Sequence, residues 1–137
     1  MELDQCLNFL LARAQQTVHQ YFKSRLAEFD VTPVQYGILN CLWRDDNLSP
    51  KQIAEKLFLD SSTITGILDR LENKGLLMRK SDPNDRRALR VALTERGIKL
   101  REPIEKAIIE ANQHYLGAFG QSDYERLEEY LKKIADS

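Results

Sequence analysis

Cysteine and histidine are scarce in this chain: Cys6 and Cys41, His19 and His114, in 137 residues. Two cysteines this far apart make no zinc motif, and two isolated histidines make no cluster of metal-ligand spacing, so neither metal nor cofactor is expected. Long apolar runs are also missing. Nothing approaches the roughly 20 residues needed to cross a bilayer, and the acidic start Met1-Glu2-Leu3-Asp4 lacks the positive flank of a signal peptide. The expectation is a cytoplasmic protein, in which a structural disulfide has no place. Nucleophile elbow, phosphate-cradling loop and His-Glu-x-x-His are all absent, and the glycines fall mostly at element junctions, so an enzyme is not expected. Charge of one sign is lacking as well, since twenty basic residues face twenty-one acidic ones. The distribution matters more than the sum. Residues 49–96 carry ten basic and seven acidic groups, a net +3 between two flanks of −2 each.

The basic middle reads as two capped helices and a hairpin. Ser49-Pro50-Lys51-Gln52 predicts a helix start, with Ser49 capping, Pro50 at the first helical position and Gln52 closing the capping box. Asp60 is a natural cap for a second helix over Ser61 to Asn73, whose Ile64, Ile67, Leu68 and Leu71 form a core-facing stripe. Its other face, Ser61, Ser62, Thr63, Thr65, Gly66, Asp69 and Arg70, is short and hydrogen-bonding, which suits close approach to base edges and phosphates in a major groove. Lys74-Gly75 ends that helix. Leu76 to Lys80 reads as a strand, Ser81 to Arg87 as a turn and Ala88 to Leu93 as a returning strand with Leu89, Val91 and Leu93 inward. Arg79, Lys80, Arg86, Arg87 and Arg90 against Asp82 and Asp85 give the hairpin about +3, and a narrow basic tip suits a minor groove. The order is that of a winged helix-turn-helix, and its expected partner is double-stranded DNA. The residues alone do not choose Arg87 over Arg86 as the groove-entering arginine.

The flanks are helical. Leu3 to Phe29 repeats apolar residues every three to four positions without proline or glycine, and reads as one long helix. Thr32-Pro33 with Gln35 starts a helix to about Trp43, with Val34, Ile38, Leu39 and Leu42 inward. Thr94 opens another to about Tyr115, bent or restarted at Pro103, and Ser122-Asp123-Tyr124-Glu125 reads as the capping box of a last helix. The fold class is therefore mainly α: one domain over 1–137, with a winged helix-turn-helix lobe at 32–96 and long dimerisation helices at 1–29 and 98–135. A small lobe cannot cover such helices, so a homodimer is expected. Helix-turn-helix dimers read half-sites about 34 Å apart, which implies a palindromic operator.

The runs Leu48-Ser-Pro-Lys-Gln-Ile-Ala-Glu-Lys-Leu57, Asp60-Ser-Ser-Thr-Ile-Thr65 and Leu68-Asp-Arg-Leu-Glu-Asn-Lys-Gly-Leu76 carry a family resemblance, above all with Asp82-Pro-Asn-Asp-Arg-Arg-Ala88 and Leu93-Thr-Glu-Arg-Gly97. Together they resemble the multiple-antibiotic-resistance regulator (MarR) family over nearly the whole chain. The resemblance implies a dimeric, sequence-specific transcriptional regulator, in first place a repressor released by a small aromatic or phenolic effector. It also implies that Arg87 enters the minor groove, oriented by Asp85, with Lys80 near the DNA backbone and Arg86 beside them. Arg13, His19 and Tyr36 are the effector-binding candidates, able to offer a cation or hydrogen bond to an anionic aromatic. Two alternatives stand beside this reading. One is a thiol-based redox sensor using Cys6, although the hydroperoxide-sensing branch carries its reactive cysteine where this chain has Asn8, two residues later. The other is a winged helix that binds protein. Operator, regulated genes, effector and sign of regulation are not written in the sequence.

Overall fold

The computed structural model describes all 137 residues, the side chain of Arg86 excepted. Among the described residues, α1 (Leu7–Leu26), α2 (Pro33–Arg44), α3 (Pro50–Leu57) and α4 (Ser61–Asn73) precede an antiparallel hairpin, β1 (Leu77–Asp82) and β2 (Asp85–Leu93). Then come α5 (Glu95–Lys99), α6 (Arg101–Phe119) and α7 (Gln121–Ala135). No helix is long and apolar enough to cross a membrane.

The lobe helices start where side chains can satisfy free amides. Thr32 Oγ1 accepts from the Gln35 N–H at 3.2 Å and Ser49 Oγ from Gln52 at 3.1 Å, each glutamine returning the bond as an acceptor. Asp60 Oδ1 accepts from Thr63 N–H at 2.7 Å, and Thr94 Oγ1 from Gly97 N–H at 3.1 Å. The core lies under these helices. Ile38, Leu39 and Leu42 of α2, Ile53 of α3, and Ile64, Leu68 and Leu71 of α4 meet Leu76, Leu77 and Val91 of the hairpin region. Leu26 and Ile104 enter it from α1 and α6. Each such side chain contributes about 1.5–3 kcal/mol by leaving water. Leu48 adds a single bridge to β2, accepting the Val91 N–H at 2.7 Å.

Several boundaries differ from expectation. The first helix is not continuous: a 3₁₀ turn at Leu3–Gln5 closes on itself, Gln5 Oε1 taking the Glu2 N–H, and extended Cys6 then becomes the N-cap of α1. Another 3₁₀ turn, Ala27–Phe29, ends in left-handed Asp30. Val34 faces outward rather than inward, and Leu89, near the hairpin tip, is exposed while Val91 is buried. The strands run further towards each other than expected, leaving Pro83 and Asn84 as the turn. The break before α6 falls at Leu100, which leaves Pro103 in the first helical turn, where its missing N–H is harmless. Ser122 does not cap α7. Gly120, at φ 85°, turns the corner in one residue, so Ser122 already lies in the first turn.

The end of α4 is a junction. Gly75, at φ 75°, stops the helix, and Lys74 Nζ donates to the Asp30 carbonyl (2.6 Å) and to Gln35 Oε1 (2.9 Å), the buried cap residue of α2. From the other side Arg96 donates to the Lys74 carbonyl at 2.8 Å, and the Thr94 hydroxyl to that of Gly75 at 2.7 Å. Gly97 is required here, because a Cβ would stand 2.1 Å from the Leu76 carbonyl oxygen. Its own carbonyl accepts the buried indole N–H of Trp43 at 2.9 Å.

Candidate nucleic-acid interface

The outward face of α4 follows from its buried stripe. With Ile64, Ile67, Leu68 and Leu71 on the core, Ser61, Ser62, Thr63, Thr65 and Arg70 are all exposed. The Ser62 hydroxyl donates to Asp60 Oδ1 (2.7 Å) and the Thr65 hydroxyl to the Ser61 carbonyl (2.9 Å), leaving both oxygens as acceptors. The Asp60 carboxyl lies below its ordinary range, mainly through the Thr63 N–H and then the Ser62 hydroxyl, so it stays ionised. Gly66 sits mid-helix, where glycine costs about 1 kcal/mol relative to alanine, and beyond its chain neighbours and the adjoining helix backbone no atom lies within 4 Å of where its Cβ would be. Internal packing does not explain it.

The hairpin pairs Leu77 with Leu93 through Ser81 with Leu89, with an irregularity at Asp82. Its charge is distributed differently from expectation. Arg79 turns towards α4 and pairs with Asp69 (2.5 Å) and Glu72 (3.3 Å), while its backbone N–H donates to Glu72 at 2.8 Å. That N–H is the main reason the Glu72 carboxyl is lowered, and the carboxylates in turn raise Arg79. Asp69 is thereby engaged rather than open for nucleic acid. Arg90 likewise turns back onto the protein. Its Nε donates to Asp82 (3.0 Å) and its Nη1 to the Asn47 carbonyl (3.2 Å) and Gln52 Oε1 (3.3 Å), lacing the hairpin to the start of α3. Asp82 is largely covered, and its carboxyl is lowered first by the Asn84 N–H and then by Arg90.

With Arg79 and Arg90 held by carboxylates, Lys80 and Arg87 are exposed cations of the hairpin. The Arg86 side chain lies outside the described residues. Asp85 Oδ1 accepts the backbone N–H of Arg87 at 3.0 Å, so it orders the main chain that carries Arg87 rather than gripping the guanidinium. No local pattern separates Arg79 and Arg90 from the tip arginines; only their tertiary partners do.

The effector candidates do not converge within one protomer. Arg13 lines an apolar groove of about 860 Å³ between α1, α6 and α7, with Phe22, Tyr115, Phe119 and Leu127. His19 is exposed and lies outside that lining. Tyr36 is half-buried on α2, its hydroxyl accepting from Asn40 at 3.3 Å, its ring 6.3 Å from that of Trp43, and its phenol raised chiefly by burial. Both cysteines are free thiols: Cys6 at the α1 N-cap, and Cys41 half-buried against the core, where burial pushes its thiol up.

Comparison with known proteins gives this geometry its context. Residues 31–89 match the model of the MarR family. The organic hydroperoxide resistance transcriptional regulator of Bacillus subtilis is 37% identical over 102 residues, which cover 74% of this chain and 69% of that protein. The transcriptional repressor CouR bound to a 23-mer DNA duplex superposes with a TM-score of 0.93 at 28% identity, covering 98% of this chain and 95% of its own. CouR from Rhodococcus jostii RHA1 bound to p-coumaroyl-CoA superposes with a TM-score of 0.86 at 27% identity, again covering 98% and 95%. By the capped helix pair, the hairpin and these likenesses, the chain belongs to the MarR family of winged-helix, DNA-binding transcriptional regulators, and is a regulator rather than an enzyme.

Proposed function

We propose that the protein acts as a homodimeric repressor on a palindromic operator and is released by a small aromatic or phenolic effector. The observation that carries this reading is the pairing of an exposed, hydroxyl-lined α4 face with exposed Arg87 and Lys80 on one lobe, beside arms whose apolar faces are uncovered. In this reading 32–96 is the DNA-binding lobe, and 1–29 and 98–135 are the dimerisation helices of a single domain. Ser61, Ser62, Thr63, Thr65 and Arg70 face the major groove, and Lys80, Asp85, Arg86 and Arg87 form the wing's contribution, Arg87 entering the minor groove. Arg13, His19 and Tyr36 serve the effector, drawn together only by the second protomer. The p-coumaroyl-CoA complex of CouR supports the effector class.

The test is a titration of purified protein against the duplex upstream of its own gene, at two salt concentrations and with excess random competitor. Tight, competitor-resistant and salt-steep binding is expected. Binding equal to random DNA would sink the operator reading and favour a protein-interaction role. Arg87→Ala should weaken operator binding about 5- to 100-fold, and unchanged affinity would remove it from the wing tip's role.

A second reading is favoured by the Bacillus relative, whose name is that of a hydroperoxide-resistance regulator, together with the half-buried Cys6 thiol at the head of α1. Loss of operator binding after hydroperoxide treatment, retained in Cys6→Ser, would replace effector release by thiol oxidation.

A further inference from the structure

Three non-glycine residues adopt left-handed backbone: Asp30, Asn47 and Phe58. Two are the aspartate and asparagine that tolerate this region, because their short polar side chains bond locally. Phe58 (φ 56°) is the exception, a bulky ring at a position that favours glycine. It is also 91% exposed, against 39–65% for the other large apolar residues left open between Leu3 and Ile134. Strain and exposure thus fall on one side chain.

The turn does not need that side chain. Phe58 closes α3: its N–H bonds Glu55 O at 3.3 Å and the Leu59 N–H bonds Ala54 O at 3.0 Å, both of them backbone bonds that glycine makes equally well. The apolar contact that usually accompanies such a stop is supplied by the next residue, Leu59, packed on the core near Ala54. Among the described residues none covers the ring, which is 91% exposed, and a backbone outlier of this kind is the starting point for a functional reading.

Its place supplies the partner. Phe58 stands in the turn of the helix-turn-helix, two residues before Asp60, the cap of α4, whose first turn carries Ser61, Ser62 and Thr63. The N-terminal residues of a recognition helix contact base edges while the preceding helix crosses the phosphate backbone, so the turn between them passes the groove edge. An apolar side chain there has one sequence-bearing partner, the thymine methyl. We propose that Phe58 is a specificity-determining residue whose ring packs on a thymine methyl beside the bases read by α4. The proposal rests on the placement of α4 in the major groove.

The experiment compares stability with affinity, using full-length protein and a duplex operator that the protein has selected from a random library. Phe58→Gly and Phe58→Asn should melt at the same temperature as the unaltered protein or a few degrees higher, because strain is relieved and no contact is lost. Both should bind the operator roughly 5- to 30-fold more weakly. Replacing single thymines by uracil should find one position per half-site where removal of the methyl weakens the unaltered protein but leaves the Phe58→Gly variant with no further loss. A lower melting temperature would make the ring structural and overturn the proposal. So would unchanged affinity, which would leave the ring to a protein partner, or an equal loss on operator and random duplex, which would place it on sugar and phosphate. Arg70→Ala and Arg87→Ala separate the two levels. If they too leave affinity unchanged, the placement of α4 and the wing fails; if they weaken binding and Phe58→Gly does not, only the present inference fails.

Discussion

The lobe of α2, α3, α4 and the hairpin handles its apolar residues differently from the arms of α1, α6 and α7. In the lobe most large apolar side chains are covered, Val34, Phe58, Met78 and Leu89 excepted, and the helix starts are fastened by Thr32, Ser49 and Asp60. In the arms Leu7, Phe9, Leu10 and Phe119 stand open. So do Leu127, Tyr130, Leu131 and Ile134 of α7, a helix with no buried residue at all. The arms touch each other through the Arg25–Glu110 ion pair and the stacking of Tyr21 on His114 at 4.4 Å, and reach the core only at their inner ends. One protomer therefore holds a finished lobe and unfinished arms. What the arms lack is apolar surface to pack on, which in the proposed homodimer a second copy of the same chain would supply.

That contrast can be broken experimentally. The largest effect is expected from Leu131→Asp, which puts a charge in the uncovered arm face. Sedimentation should show loss of the dimer, with operator affinity falling at least 100-fold, since two half-sites are then bound separately. A dimer that survives would mean the arms are finished some other way. Leu68→Ala, in the lobe core, should cost about 2–5 kcal/mol in denaturant unfolding at unchanged m-value. Gly66→Ala should raise stability by about 1 kcal/mol while weakening operator binding; a gain in both would return that glycine to mere chance. The smallest effect concerns pH. Asp82 has a lowered folded pKa, so its stabilisation is complete above the unfolded carboxylate value near 3.9 and is lost as pH falls through the lower folded value. Thermal melts between about pH 5 and 2 should therefore fall less steeply for Asp82→Asn than for the unaltered protein.

Features written in local spacing were legible in the chain. The caps at Ser49, Asp60 and Thr94 need only a residue and its neighbour three positions on, and each forms as expected. The stripe Ile64, Ile67, Leu68, Leu71 needs only the helical period, and it is buried. What escaped depends on distant partners. Arg90 looks like its neighbours Arg86 and Arg87 until Asn47 and Gln52 are brought beside it, and Arg79 until α4 presents Asp69 and Glu72. The break at Cys6 escaped because its apolar neighbours have no surface in this protomer to hold them in register. At Ser122 a good capping pattern lost to a glycine that needed no cap.

The fastening of Lys74 and Gly75 has a mechanical meaning. It holds α4 by its last turn, to Asp30 and Gln35 on one side and to Thr94 and Arg96 on the other, where the lobe meets both arms. The end carrying Ser61, Ser62 and Thr63 lies at the opposite tip, about 20 Å away for a helix of thirteen residues. Its stripe Ile64, Ile67, Leu68 and Leu71 is buried in the core as well, so α4 turns only together with the lobe, about the junction with the arms. If α4 lies in the major groove as proposed, a rotation of the lobe by about 10° about that junction would sweep Ser61 through roughly 3 Å, the length of one hydrogen bond, enough to lift the tip of that face from the bases without changing any residue on it.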